Sequence, residues 1–245
     1  MLKKEKLDYV IVHSPPLPLA TTAKLIKKHF KAKFILNLHD FFPQNAVDLG
    51  VLTNPGIINF FRRMEKKAYK NADIRITPSE KHKSYLIEKR NIPSEKTYVI
   101  NHWIDTMPFH NLERTNKFRE KYDLANKFIF LFAGNLGPSQ GLDMIINSAK
   151  EVQDIKDIHF LFVGEGSEKE KIIQLTEKYK LKNVTFQPLV SKEEYPLLLK
   201  DTDVGLVTLT SKNTTPAVPA KLMGYMAASL PVIAALHPQS EGIDI

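Results

Sequence analysis

The chain contains no cysteine, which excludes disulfide-stabilised folds, thiolate zinc sites and cysteine nucleophiles. No apolar run approaches the ~20 residues that span a bilayer. The start at Met1–Lys4 leads into acidic residues rather than a signal segment. Neither a repeat nor a low-complexity tract is visible. These absences favour a cytoplasmic globular protein.

The composition is that of an ordinary folded protein, with 43% apolar and 25% charged residues. The 245 residues suffice for one large domain or two of about 100–150 residues. The net charge of +8 is uneven, because residues 1–125 carry +10 and residues 126–245 carry −2. A basic half indicates an anionic partner, which could be nucleic acid, a phosphorylated substrate or an acidic lipid surface. A solvated lysine-rich surface is the alternative.

Short apolar runs alternate with amphipathic segments. In the first half this predicts strands at 9–12, 34–38, 74–77 and 98–101, and helices at 19–30, 57–69 and 79–89. In the second half it predicts strands at 128–132, 159–163, 184–186, 204–207 and 232–235, and helices at 142–152, 168–179, 193–199 and 220–228. Since βαβ units produce this order, the fold class is α/β with two doubly wound parallel sheets and ligands at the strands' carboxyl ends.

The polar stretch 106–127 interrupts the alternation. It predicts a first domain at 1–110, a linker or crossover at 111–127 and a second domain at 128–245. The chain begins with a predicted strand, and no helix is predicted after its last strand. We therefore expect both domains to be incomplete, because an α/β sheet is normally covered on both faces.

Two strand–helix turns of the second half are rich in glycine. Gly134–Gly137 follows a buried strand, and Gly141 precedes the next helix. One unit later, Gly164-Glu165-Gly166 repeats the design. Glycines let a backbone approach a ligand closely, and a helix N-terminus favours an anion such as pyrophosphate. A tight turn without a ligand is the alternative.

Two further segments carry candidate chemistry. Pro219 begins a predicted helix that carries Lys221 in its first turn. A cation there is repelled by the positive end of the helix dipole, unless an anion lies between the lysine and the helix N-terminus. An exposed lysine without a ligand is the alternative. His39 and Asp40 follow a strand, and a histidine there can bind sugar hydroxyls or move protons. A structural role for this pair is the alternative.

In this order, the segments resemble the GT-B glycosyltransferases of family 4, in the branch that builds bacterial surface polysaccharide. Gly134-Asn135-Leu136 and Gln140-Gly141 stand where the family has Gly-Arg-Leu and Lys-Gly. Val163–Gly166 matches its Val-Gly-x-Gly turn. Gly224–Val232 resembles Glu-Ala-Met-Ala-x-Gly-x-Pro-Val, and His39–Gln44 resembles Arg-Asp-Leu-Trp-Pro-Glu. The resemblance runs from about Asp8 to Ile245.

The chain departs from the family at three places. Asn135 and Gln140 replace an arginine and a lysine that neutralise the donor pyrophosphate, which fits the polysaccharide branch. Gly224 replaces a glutamate that contacts the donor ribose, which fits it less well. We expect Lys221, or else Lys212, to supply the missing cation. The resemblance also implies a first domain that is partial at its start and a second that lacks its last elements.

The resemblance implies a retaining transfer of a sugar from a UDP- or GDP-sugar to a saccharide or polyprenyl-pyrophosphate-linked acceptor. It needs no metal and no other cofactor. The expected catalytic residues are His39, Asp40 and Lys221. The expected donor-binding residues are Gly134, Asn135, Leu136, Gln140, Gly141, Gly164, Glu165, Gly166, Lys212, Pro219 and Leu222.

The basic first half indicates attachment to the inner face of the cytoplasmic membrane. The basic helix beside Phe60 and Phe61 would supply the contact. One alternative is an inactive, truncated remnant that at most binds a sugar nucleotide. A nucleic-acid-binding protein is a further alternative, but no motif supports it.

Overall fold

The computed structural model describes residues Lys6–Ile243 and divides the chain into two compact units. The first unit is the described part of Met1–His102, Lys212–Val218 and Pro238–Ile245. The second unit consists of Trp103–Ser211 and Pro219–His237. Each unit contains one parallel sheet, which confirms the predicted α/β fold class.

The first unit has four parallel strands in the order β1-β2-β3-β4. The strands are β1 (Tyr9–Ser14), β2 (Lys33–Leu38), β3 (Ile74–Thr77) and β4 (Thr97–Val99). The helices are α1 (Pro18–Phe30), α2 (Gln44–Asp48), α3 (Pro55–Asn71) and α4 (Glu80–Arg90). Every predicted element of this half is present, and α2 is an additional short helix within the predicted loop.

Local sequence explains where the long helices of this unit begin. The Asn54 side chain accepts hydrogen bonds from the backbone N–H groups of the first turn of α3, and Pro55 fits the first helical position. Ser79 caps α4 in the same way by accepting from the His82 N–H at 3.2 Å. The apolar residues Phe34 and Leu36 of β2 are fully buried between the helices. The sheet therefore lies at the centre of the unit's core.

The second unit has five parallel strands in the order β7-β6-β5-β8-β9. The strands are β5 (Phe128–Ala133), β6 (Ile158–Val163), β7 (Val184–Gln187), β8 (Val204–Thr208) and β9 (Val232–Ala235). The helices are α5 (Lys117–Lys121), α6 (Leu142–Glu151), α7 (Lys169–Lys178), α8 (Tyr195–Lys200) and α9 (Ala220–Ala227). The strand order reverses beside β5, and such a switch point opens a crevice at the carboxyl ends of the strands.

Both faces of the second sheet are covered. Alternate residues of β5 contribute to two separate cores, with Leu131 in one and Phe132 in the other. Both side chains are fully buried. This pattern explains why β5 is apolar throughout, as expected for a central parallel strand.

The stretch predicted as a linker is part of the second unit, so the structure differs there from the predicted domain division. Phe118 and Leu124 of this stretch are buried in the core of the second unit, and so is Phe109, which was predicted to end the first domain. The fully buried Asp201 carboxylate accepts backbone N–H bonds from Asn116 at 2.8 Å and Phe118 at 2.9 Å. Widely spaced apolar residues and distant carboxylates hold this segment, since Asp203 also pairs with Arg114 and Arg119. Neither kind of contact produces a periodic sequence signal.

Within the described residues, no helix is both long and apolar enough to cross a membrane.

Candidate functional site

The glycine loop of the second unit lies at the switch point of its sheet. It leaves the end of β5 at Gly134, forms a 3-10 turn at Pro138–Gln140 and enters α6 through Gly141. Gly141 has a φ of +59°, a left-handed conformation that glycine adopts without strain. The loop is attached to the end of β8, where the Thr208 hydroxyl donates to the Gln140 carbonyl at 2.5 Å. The predicted donor loop therefore lies where α/β sheets bind ligands.

The second glycine turn packs directly on the first. A Cβ on Gly164 would lie 2.0 Å from the Gly134 carbonyl oxygen, so only glycine fits there. The Gly134 N–H donates to the Val163 carbonyl at 2.9 Å, and the Leu136 N–H donates to the Glu165 carbonyl at 2.8 Å. These two amides are thus occupied by protein. The predicted close approach of the Gly134–Gly137 backbone to a ligand therefore cannot use the N–H groups of residues 134 and 136.

Lys221 is the group that the fold brings to this loop. Its ammonium nitrogen lies 3.7 Å from the centre of the Phe132 ring and hydrogen-bonds to the Gln140 side-chain oxygen. Its Cε lies 3.8 Å from the position of a Cβ on Gly134. No carboxylate pairs with Lys221 among residues 6–243. Burial lowers the pKa of Lys221 to about 7.

A buried ammonium without a counter-charge suits a site that receives an anion. Taking a cation out of water is costly unless an opposite charge compensates for it. The ring of Phe132 and the neutral oxygen of Gln140 compensate only in part. A phosphate oxygen beside Lys221 would complete the pairing and restore its charge. Gln140, predicted to bind the donor, therefore also holds the lysine in place.

Other predicted donor residues have structural roles. The side chain of Leu136 is fully buried in one core and that of Leu222 is buried in the other. The Leu222 N–H donates to the carbonyl of Pro219, the residue that precedes α9. Glu165 forms an exposed ion pair with Lys169 at 2.7 Å.

The remaining predicted residues divide between the two units. Asn135 and Gly166 lie on the two facing turns of the second unit. Lys212 belongs to the first unit, so it is not among the second-unit residues that surround the glycine loop. Lys221 is thus the cation that the second unit itself supplies to the loop.

The structure gives a physical reason for Gly224. A Cβ at this position would lie 2.7 Å from the Tyr195 hydroxyl oxygen and 3.0 Å from a ring carbon of the same residue. Burial raises the pKa of Tyr195 to about 12. The tyrosine ring thus occupies the space that a side chain at position 224 would need.

In the first unit, His39 belongs to a stack of three histidines at the carboxyl edge of the sheet. His13 Nδ1 and His39 Nε2 are 2.8 Å apart, and their ring centres are 5.0 Å apart. His102 also stacks on His39, with ring centres 5.3 Å apart and planes inclined by 10°. Desolvation, together with His102 and His13, lowers the pKa of His39. His39 is therefore a neutral hydrogen-bonding group at neutral pH.

Asp40 lies beside this stack. Although its side chain reaches solvent, the protein around it desolvates the carboxyl group and raises its pKa. His39 and His102 act in the opposite direction. The structure thus confirms neither a proton transfer nor an orienting bond between His39 and Asp40, but it places both at one strand end.

His13 and His102 were not among the predicted site residues. A usable signal was present, because His13 is the last residue but one of β1, while His39 and His102 follow β2 and β4 of the same parallel sheet. Strand ends of a parallel sheet meet at one edge.

Phe132 and Tyr225 were also missed. The Tyr225 hydroxyl accepts from the Ala133 N–H at 3.1 Å and ties α9, which carries Lys221, to β5. A phenylalanine inside an apolar strand and a tyrosine inside an apolar helix give no sign of such roles.

No group of three or more His, Cys, Asp or Glu side chains suited to a metal ion occurs within Lys6–Ile243.

Two family models together match most of the chain. Residues 114–241, more than half of the chain, match the model described as "Glycosyl transferases group 1". Residues 1–107 match the model described as "Glycosyltransferase Family 4".

Relatives of known name point the same way. WcaI of Escherichia coli, named as a colanic acid biosynthesis glycosyl transferase, is 28% identical over 232 residues, covering 92% of this chain and 56% of WcaI. WbjE of Pseudomonas aeruginosa, named as a glycosyltransferase, is 27% identical over 242 residues, covering 96% of this chain and 58% of WbjE. The chain thus spans somewhat over half the length of these relatives.

A solved structure shares the fold. A crystal structure of Anabaena HepE in complex with UDP superposes with a TM-score of 0.73 at 16% identity, covering 96% of this chain and 61% of HepE.

Proposed function

This chain belongs to the glycosyl transferases group 1 family, and on that premise we propose that it moves a sugar from a nucleoside diphosphate donor to a hydroxyl acceptor. The observation that carries the proposal is the buried Lys221 beside the glycine loop, with no carboxylate paired to it among the described residues. A donor pyrophosphate at the switch point would supply the missing counter-charge. The likeness of the fold to HepE, whose structure contains UDP, supports a nucleotide donor.

In the proposed reaction the bond between the anomeric carbon and the β-phosphate oxygen breaks, and the acceptor oxygen bonds to the same carbon. The acceptor proton passes to the departing phosphate on the same face, so the anomeric configuration is retained. Lys221 stabilises the negative charge that grows on the leaving phosphate. The first turns of α6 and α9 add their dipoles at the same place.

We assign His39 and Asp40 to the transferred sugar or the acceptor. His39 Nε2 is engaged by His13, so its Nδ1 and the Asp40 carboxylate are the groups that remain to bind hydroxyls. Because the pKa of His39 is lowered, the ring binds as a neutral group. Lys221 and the helix N-termini carry the phosphate charge in this scheme, so we expect turnover to survive chelation of divalent metals.

The acceptor we propose is a growing surface polysaccharide or a polyprenyl-pyrophosphate-linked sugar, with the protein at the inner face of the cytoplasmic membrane. The support is the exposed side of α3, where Phe60 is 56% exposed and lies beside the exposed basic residues Arg63 and Lys67. An apolar ring among cations is typical of helices that bind anionic bilayers. Phe60→Ser should weaken sedimentation with phosphatidylglycerol vesicles.

An inactive chain that binds a sugar nucleotide without turnover is the second candidate. Gly224 favours it, because Tyr195 fills the position of the ribose-binding glutamate that the family resemblance implies. Binding and turnover must therefore be measured separately.

The test is calorimetric titration of the chain with UDP and with GDP at pH 8, in two buffers of different ionisation enthalpy. With a pKa of about 7, Lys221 is mostly neutral at pH 8, so pairing with phosphate should draw in most of one proton per nucleotide. Lys221→Met should abolish this uptake and weaken binding. Lys178→Met, at an exposed lysine in the last turn of α7, serves as the control.

Each result has a defined meaning. Binding with proton uptake, followed by transfer from the matching sugar nucleotide, supports the enzyme. Binding with uptake but without transfer to any acceptor supports the inactive alternative. Binding without proton uptake contradicts the role of Lys221, and a folded chain that binds neither nucleotide contradicts both functions.

A further inference from the structure

A second basic site lies in the first unit, apart from the histidine stack. It is a groove of about 770 Å³ that we call the basic groove. The cations that line it are Lys27, Lys66, Lys70, Arg75, Arg90 and Lys96. They come from α1, α3, β3, α4 and the turn before β4. Five separate segments thus converge on one cavity with the same sign of charge.

The acidic residues near the groove do not neutralise it. Asp73 and Glu95 are the two acids in its lining. Asp73 pairs with Lys27 at 2.8 Å and also accepts the Phe34 N–H at 2.8 Å. Behind the lining, Glu65 pairs with Arg90 at 3.0 Å. The six cations of the lining therefore exceed the three acidic residues, Glu65 included, by three.

Three of the four lysines have no carboxylate hydrogen-bonded to them. Lys66 and Lys70 are exposed and form no hydrogen bond or ion pair with any residue that the structure describes. Lys96 is exposed and lies close enough to Asp73 to lower that residue's pKa, but makes no ion pair with it. These three ammonium groups are available to a ligand.

Arg75 places a fixed positive charge at the wall of the groove. Its side chain is 7% exposed and donates to the carbonyls of Tyr69 at 3.1 Å and Glu95 at 3.2 Å, and to the Thr97 hydroxyl at 3.1 Å. All these acceptors are neutral, and desolvation lowers the pKa of Arg75. A buried cation that is hydrogen-bonded but not charge-compensated attracts an anion.

The groove and the histidine stack lie at opposite edges of the same sheet. Asp73 and Lys96 directly precede the starts of β3 and β4, whereas His13 and His39 lie at the carboxyl ends of β1 and β2. All strands of this sheet are parallel. An anion in the groove would therefore be separate from the sugar or acceptor proposed for the histidine edge.

We propose that the basic groove is a binding site for a phosphate or pyrophosphate group, held by Lys66, Lys70 and Lys96 against the charge of Arg75. The group belongs either to a soluble phosphate ester or to the headgroup of an anionic lipid. The phosphate ester and the lipid headgroup both present what the groove would recognise, a compact anion with several acceptor oxygens. This site is additional to the proposed donor site in the second unit.

The experiment compares three forms of the full chain in phosphate-free buffer of fixed ionic strength. The groove variant carries Lys70→Gln and Lys96→Gln. The control variant carries Lys178→Gln and Lys180→Gln. The pairs match, since Lys70 and Lys178 are exposed in the last turns of α3 and α7, and Lys96 and Lys180 are exposed with positive φ. One arm titrates inorganic pyrophosphate by calorimetry, and the other sediments the protein with phosphatidylglycerol vesicles.

We expect the groove variant to bind pyrophosphate or the vesicles about tenfold more weakly than wild type, with the control variant unchanged. A loss in the pyrophosphate arm identifies a soluble ligand, and a loss confined to vesicles identifies the lipid headgroup. Pyrophosphate bound at the donor loop is unaffected by either pair, so the comparison isolates the groove. Equal binding by all three proteins, or an equal loss in both variants, would overturn the proposal.

Discussion

The buried lysine of the second unit makes the stability of the protein depend on pH in a definite direction. Lys221 has its ordinary pKa of 10.5 in the unfolded chain and a pKa of about 7 in the folded one. Between these values the unfolded state binds more protons, so the free energy of unfolding rises with pH. The slope approaches about 1.4 kcal/mol per pH unit once Lys221 is neutral in the folded state.

The size of the effect follows from the two pKa values. Between pH 7 and pH 9 the folded lysine loses its remaining proton while the unfolded one stays charged. Integration over this interval gives a gain of about 2 kcal/mol in the free energy of unfolding. Lys221→Met removes the titrating group and retains an unbranched side chain. The difference in stability between wild type and variant should therefore shift by about 2 kcal/mol in favour of wild type.

Urea unfolding at pH 7, 8 and 9 measures this difference directly. Groups other than Lys221 titrate in both proteins and cancel in the comparison. Lys178→Met, at an exposed position, should show a difference from wild type that does not change with pH. A constant difference for Lys221→Met as well would refute the argument that Lys221 is buried as a cation without a counter-charge.

Three further predictions concern stability. Asp201→Ala leaves the backbone amides of Thr115, Asn116 and Phe118 without their acceptor and should cost roughly 3 kcal/mol or more in urea unfolding. A loss under 1 kcal/mol would contradict a holding role for Asp201. Gly164→Ala should cost roughly 3 kcal/mol of stability because its Cβ meets the neighbouring turn. Gly50→Ala, at φ +71° with open space around it, should cost about 1 kcal/mol. Equal losses would be inconsistent with the close approach of the two glycine turns. Burial lowers the pKa of His82 to about 4, so between pH 7 and pH 4 the unfolded state binds more protons at this residue than the folded state. The stability of wild type relative to His82→Phe should therefore fall by about 3 kcal/mol from pH 7 to pH 4. An unchanged difference would speak against the burial of His82 as a neutral ring.

The fold was predictable because its signals are local. The apolar run of β5 and the alternation of strands with helices specify a parallel α/β sheet without any long-range information. The short helix α2 was missed because five residues without a side-chain cap give no periodic signal. The end of the first domain and the linker were misplaced because Phe109 and Phe118 are too far apart in sequence to form a pattern, although both are buried in the second unit.

The site was predictable in part for the same reason. A glycine turn after a buried strand can be recognised from sequence, and so can a lysine in the first turn of a helix. The environment of Lys221 cannot be, because Phe132 and Gln140 lie more than 80 residues before it and approach it only when β5 and β8 pair. The occupied amides of Gly134 and Leu136 likewise depend on the neighbouring turn after β6.

The passage of the chain between its two units constrains how chimeras of this family could be built. Lys212–Val218 belongs to the first unit, and its Thr214 donates to the Asp48 carboxylate from the backbone N–H at 2.8 Å and from the hydroxyl at 2.6 Å. A hybrid made by exchanging residues 1–102 alone would pair a foreign helix α2 with a native Thr214. Exchanging residues 212–218 together with residues 1–102 takes Thr214 and Asp48 from the same parent protein, so their hydrogen bonds are retained.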